Sequence, residues 1–206
     1  MDLRTFAYLA PCVLLSLTLH ELAHAFTAWK LGDPTAKEQG RLTLNPLRHL
    51  DPLGTAMFAI TALAANVPFG WARPVPVQPG YFKRPKEGMA LVAAAGPITN
   101  FLLALVALTI IVHTDIGGEA GQVVYYAYLV NVVLGIFNLI PIPPLDGSRI
   151  VGMFLRDDAY RAWSRLDAYG MILVLGLFLV FRDESSTLLQ RAYDAVTDVM
   201  VRIVGA

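Results

Sequence analysis

Two histidines and a glutamate stand within five residues, His20-Glu21-Leu22-Ala23-His24. On an α-helix, residues four apart are rotated by about 40°, so both imidazoles lie on one face and can grip a single divalent cation. Glu21 sits beside that face, where a carboxylate can take a proton from a water held by the metal. These types at this spacing suit zinc-assisted hydrolysis. The pattern also arises by chance in surface helices of soluble proteins, so its surroundings decide its weight. Phe6–Leu19 immediately before it carries no charge, and ionisable side chains within such a run are costly and therefore rare. A catalytic zinc keeps three protein ligands and one open position. A third ligand must come from elsewhere, and Asp146, Asp51, His49 and His113 are the candidates. Cys12 is the only cysteine, which excludes a cysteine-rich zinc site and an internal disulfide.

The elements that must position these groups belong to a membrane protein. Of 206 residues, 56% are hydrophobic and 16% charged, where a soluble domain carries about a quarter charged. Mean hydropathy is +0.55. The formal net charge is zero, and no nucleic-acid partner is expected; the bilayer itself is. The first apolar run is followed by the His/Glu cluster and not by a small-residue cleavage site, so it is expected to be a retained span.

Four segments are expected to cross: Phe6–Trp29, Met89–Val112, Val123–Ile140 and Tyr169–Phe181. The second is charge-free and about 36 Å long as a helix, enough to span with some tilt. The fourth is short and would need Trp163 and Leu166 to reach across. Leu53–Val67, with Thr61 and Asn66, is apolar but short, and a run of that length more often re-enters or lies at the interface. From Ser185 onward, apolar residues at helical spacing predict an amphipathic tail at the interface or against the bundle. Arg41–Leu44 and Pro74–Gln78 are short extended stretches that predict a small β element, with Pro74 and Pro76 on its edge. Tyr125, Tyr126 and Tyr128 are expected to form an interfacial aromatic belt. The expected architecture is an all-α integral membrane protein: four to five transmembrane helices, a short re-entrant or interfacial segment and the small β element. One domain, 1–206, is expected, with a catalytic core over about 5–155 and a C-terminal span and tail over 160–206.

The loops sort by sign. Lys30, Lys37, Arg41 and Arg48 follow the first span; Arg73, Lys83, Arg84 and Lys86 precede the second; Arg149, Arg156, Arg161 and Arg165 follow the third. The 113–122 loop has no lysine or arginine. The positive-inside rule then puts the basic loops in the cytoplasm of a prokaryotic cell. His24 and Asp146 both lie toward the cytoplasmic ends of their spans, at similar depth, whereas His113 falls at the opposite end.

His20 to His24 taken together with Asn138-Leu-Ile-Pro-Ile-Pro-Pro-Leu-Asp146-Gly147 resembles the site-2 protease family of intramembrane zinc metallopeptidases. Gly96-Pro-Ile-Thr-Asn100, Gly40-Arg-Leu-Thr-Leu-Asn-Pro46 and His49-Leu-Asp-Pro-Leu-Gly54 match further elements of its compact prokaryotic members, and the likeness covers roughly residues 5–155. The resemblance implies Asp146 as the third zinc ligand and Asn138 as a group that holds the substrate or the developing oxyanion. It implies one zinc per chain and transmembrane protein substrates, with neither a PDZ nor a CBS module expected. Asn100 would orient substrate or simply pack between helices; His49 and Asp51 would support a ligand or form a turn capped by Asp51. The rival reading is a metal-binding membrane protein or transporter with the same ligands, which would have no use for a base at Glu21. A soluble zinc protease is opposed by the charge-free run Met89–Val112.

Overall fold

A computed structural model describes residues 1–65, 68–180 and 182–205. Among the described residues, three helices are long and apolar enough to cross a membrane: α1 (Leu3–Lys30), and, further along the chain, Pro85–His113 and Gly118–Asn138. Between them lie α2 (Thr35–Glu38) and α3 (Pro52–Ala65), which makes the two later long helices α4 and α5. The chain ends in α6 (Asp146–Gly152), α7 (Asp157–Arg165), α8 (Gly170–Val180) and α9 (Arg182–Val204). At 1.5 Å per residue, α1, α4 and α5 run about 42, 44 and 32 Å, each more than the ~30 Å of hydrocarbon.

Leu15, Leu91, Ile98, Leu102, Val106 and Val133 are exposed along these helices. So much apolar surface fits lipid as the solvent, since soluble monomers rarely expose it. Lipid tails provide no hydrophobic drive between helices, so the bundle depends on close packing of small residues. Ala25, Ala28, Ala90, Ala93, Ala104 and Ala107 are buried where α1, α4 and α5 meet. Gly135 belongs to the same class: a Cβ there would stand 2.6 Å from the Phe101 ring. Helix α4 is the centre, packed on α1, α5, α6 and α9.

The tail settles against the bundle, where Met200, Tyr193 and Val196 of α9 pack with Ala104, Leu108 and Val132. Tyr128 is buried, and its hydroxyl shares a 2.7 Å hydrogen bond with Thr197, so it is a core residue and not part of an aromatic belt. The expected fourth span, Tyr169–Phe181, coincides with α8 after Tyr169, and Trp163 and Leu166, needed to lengthen it, fall in α7 and in a 3-10 turn over Leu166–Tyr169. With eleven residues, α8 is about 17 Å long and does not cross alone; Phe181 lies outside the described residues. Residues 53–65 of the expected short apolar segment lie in α3, while residues 66 and 67 lie outside the described part.

No strand ladder forms among the described residues. The one isolated bridge there joins Leu50 to Ala72. The Arg41 guanidinium donates to the Arg73 and Pro74 carbonyls. A side chain thus takes the acceptors that a neighbouring strand would have used, and two prolines remove donors from the same segment.

Candidate metal centre

Helix α1 puts His20 and His24 on one face, and α4 comes very close to that face because residue 96 is glycine. A Cβ on Gly96 would stand 2.5 Å from His20 Cε1 and 2.6 Å from His24 Cε1. The rings meet edge to face with centroids 4.5 Å apart. Asp146 comes from the start of α6, which also packs against α4. Helix α5 ends at Asn138, the prolines prevent its continuation, and short turns through Ile142 and Leu145 lead into α6. Gly147 makes that turn passable, since a Cβ on it would sit 2.2 Å from the Leu139 carbonyl oxygen.

The three side chains converge. Asp146 Oδ2 lies 3.2 Å from His20 Nε2 and 3.3 Å from His24 Nε2. The two Nε2 atoms are 3.0 Å apart. Behind each ring stands an oxygen: Asn100 Oδ1 at 2.6 Å from His20 Nδ1, and the Val92 carbonyl at 2.7 Å from His24 Nδ1. Both oxygens only accept, so in the neutral rings Nδ1 carries the proton and Nε2 presents a lone pair. Two lone pairs and a carboxylate oxygen then face one another, and Asp146 Oδ2 is buried with no hydrogen-bond donor. A cation satisfies this arrangement. Zinc–nitrogen bonds of about 2.0–2.1 Å at the tetrahedral angle place ligand atoms about 3.3 Å apart, close to the 3.0–3.3 Å found here. The donor set, nitrogen and carboxylate oxygen without thiolate, suits zinc. No other group of three or more His, Cys, Asp or Glu ligands gathers among the described residues.

Glu21 is buried in the same cavity, of about 390 Å³, which is also lined by Asn138, Leu145, Trp71 and Arg149. Its Oε2 accepts from the Val75 backbone N–H at 3.0 Å. The extended strap from Arg73 to Gln78 that supplies this donor is tied down at both ends: Arg41 holds the carbonyls of residues 73 and 74, and Asp33 accepts from Gln78 N–H at 2.6 Å. A second, apolar cavity of about 530 Å³ between α1, α3 and α5 shares Leu17, Trp71 and Leu134 with the first. Asn138 Nδ2 donates to the Leu134 carbonyl at 3.0 Å, one turn back on its own helix.

The other candidates are elsewhere. His49 is buried with Nε2 on the Thr43 carbonyl at 2.9 Å, and Asp51 accepts from Gly54 N–H at the start of α3. His113 bonds the Val204 carbonyl at the opposite end of α4. Sequence reasoning overlooked Asn131, Ser16, Arg41 and Asp33. Asn131 had a signal, being a polar side chain inside an apolar span.

The family model for peptidase family M50 matches residues 113–181, the stretch that holds Asn138 and Asp146. Over 181 residues the chain is 40% identical to "putative zinc metalloprotease YwhC" of Bacillus subtilis, covering 84% of this chain and 80% of that protein. The chain belongs to peptidase family M50. Another relative, "putative zinc metalloprotease Rip2" of Mycobacterium tuberculosis, is 33% identical over 171 residues, which cover 81% of this chain and 64% of that longer protein. Among solved structures, the site-2 protease from Methanocaldococcus jannaschii superposes with a TM-score of 0.51 at 22% identity, over 94% of this chain and 77% of that one. At that identity the likeness is one of fold, and the M50 fold is what it supports.

Proposed function

We propose that this M50 chain is an intramembrane zinc endopeptidase that hydrolyses peptide bonds in or beside transmembrane segments of other proteins. One zinc is held by His20, His24 and Asp146, and residues 1–206 act as a single catalytic domain. The observation that carries the reading is the convergence of three buried acceptors with Glu21 in the same cavity. Zinc, when bound, polarises a carbonyl and acidifies water in its open position.

The chain's residues do the rest. Glu21 is the general base; its Val75 bond holds one carboxylate oxygen in place and leaves the other for the attacking water. Asn138 turns its amide from Leu134 toward the oxygen on which negative charge develops. A helical substrate hides its carbonyls in its own hydrogen bonds, so it must unwind to be cut. The apolar cavity beside α3 suits the intact part of such a segment, and the extended strap suits its unwound part. Basic residues crowd the end of the bundle where α1 finishes and α4 begins, and this supports an active site toward the cytoplasmic face of a multi-pass prokaryotic membrane protein. Incubating the purified, zinc-loaded chain with a model transmembrane substrate tests the reading. Cleavage by the wild type and none by Glu21→Gln is expected, while cleavage by neither form overturns it.

A further inference from the structure

Asn131 sits midway along α5, within the bundle and apart from the metal group. Its amide is fully engaged. Nδ2 donates to Ser16 Oγ at 2.9 Å and to the Ala127 carbonyl at 2.8 Å, and Oδ1 accepts from Asn100 Nδ2 at 2.8 Å. Asn100 Oδ1 in turn faces His20 Nδ1 at 2.6 Å. The line crosses from α1 to α5, to α4 and back to α1, and Ser16, Asn131 and Asn100 are all buried. We infer that Asn131, backed by Ser16, is a positioning residue that fixes the proton of His20 and thereby the zinc affinity of the centre. The inference rests on the reading of His20 as a ligand.

The direction of the chain follows from its one fixed end. A backbone carbonyl can only accept, so Ala127 forces the Asn131 amide to turn its NH2 toward α1 and its oxygen toward Asn100. Asn100 must then offer its NH2 to Asn131 and its oxygen to His20. His20 is left with one tautomer, a proton on Nδ1 and a lone pair on Nε2, which is the form that binds a metal. Without Asn131 the Asn100 amide is no longer oriented. Turned over, it would present NH2 to Nδ1 and favour the tautomer with the proton on Nε2, where the metal should be. A direct partner of a ligand imidazole, as Asn100 is here, typically changes metal affinity by about 10- to 100-fold, and Asn131 acts by keeping that partner in place.

Zinc affinity of the full-length purified chain, measured by competition with a chromophoric chelator, tests the inference without reference to activity. Asn131→Leu should bind zinc about 10- to 100-fold more weakly. Val132→Ala, a truncation of a neighbouring residue with no exposed surface, should lower the melting temperature and leave zinc affinity alone. If Asn131→Leu does not fold, Asn131→Ala, which removes the same amide with a smaller side chain, replaces it and should weaken zinc to a similar extent. Wild-type affinity in the folded Asn131→Leu variant, or in Asn131→Ala where that stands in, overturns the inference. His20→Ala separates the two levels: zinc lost there but kept in the Asn131 variant removes only the positioning role, whereas zinc kept in both removes the ligand assignment as well.

Discussion

His20 and His24 turn their Nε2 atoms toward each other at 3.0 Å while each Nδ1 faces an oxygen behind its ring, at 2.6 and 2.7 Å. The carbonyls behind the rings therefore aim both lone pairs inward. Asp146 adds a third acceptor, so the bundle carries a local repulsion that a bound cation relieves. Zinc at a hundredfold excess over its Kd should then stabilise the folded chain by about 2.7 kcal/mol. Chelation should lower the melting temperature in detergent, and zinc, added back, should restore it. In His24→Ala and Asp146→Ala chelation should have little effect, and elemental analysis should find less than the one zinc per chain expected of the wild type. A full equivalent in Asp146→Ala would remove that residue from the ligand set.

Glu21→Gln should retain zinc and the fold while losing activity. The replacement amide oxygen still accepts from Val75 N–H, so the strap stays in place. What disappears is the proton acceptor, and general-base contributions run to about 10²–10⁴-fold in rate. Single-turnover cleavage of a model substrate, run beside zinc analysis of the same sample, checks both halves. Turnover within a few-fold of wild type would give the base to another group.

Gly96→Ala should lower zinc content more than it lowers stability. The added methyl would lie 2.5–2.6 Å from both imidazoles, and real Cβ contacts do not come so close, so the rings or α4 must shift. A comparable methyl at Gly176, where no atom lies within 4 Å, should change neither. Zinc titration of the two variants makes the comparison, and equal zinc affinities would show that α4 yields without moving the ligands.

Arg41→Ala should free the strap over the cavity. The guanidinium holds two successive carbonyls at residues 73 and 74, and its loss leaves the strap held by three backbone donors: Arg73 N–H on the His49 carbonyl, Val75 N–H on Glu21 and Gln78 N–H on Asp33. Hydrogen exchange at residues 73–78 should rise, and peptide cleavage should fall while zinc content is kept. Lysine at this position should rescue poorly, because it lacks the planar fork that reaches both oxygens.

These residues also show what the chain makes legible. His20, Glu21 and His24 declare themselves because three polar groups at helical spacing interrupt an apolar run. The three long helices follow from hydrophobic runs that end in charges or prolines. Asp146 was one of four candidates on residue types alone, and the resemblance to site-2 proteases singled it out. Asn100, Asn131 and Ser16 were beyond reach as a group, since their contact depends on the rotation of three helices about their axes. The small β element failed for a related reason: extended propensity at 41–44 and 74–78 does not specify that an arginine side chain will take the strap's carbonyls. Tyr169–Phe181 carried hydropathy but not length.

Topology can be tested by labelling. Lys30, Lys37 and Arg41 flank the C-terminal end of α1, and Arg73, Lys83, Arg84 and Lys86 precede α4, whereas the 114–117 connection between α4 and α5 has no lysine or arginine. His24 bonds Val92 near the start of α4, so the metal group lies toward the basic end. In a Cys12→Ala background, a cysteine at Gly117, where the added side chain meets no atom within 4 Å, should react with a membrane-impermeant thiol reagent on intact cells. A cysteine at Lys37 should react only after the membrane is opened, the outcome expected of a basic loop that obeys the positive-inside rule. The reverse pattern would put the cut at the other face. Labelling of both from outside would mean that α4 does not separate the two loops, and the bundle's insertion would have to be redrawn.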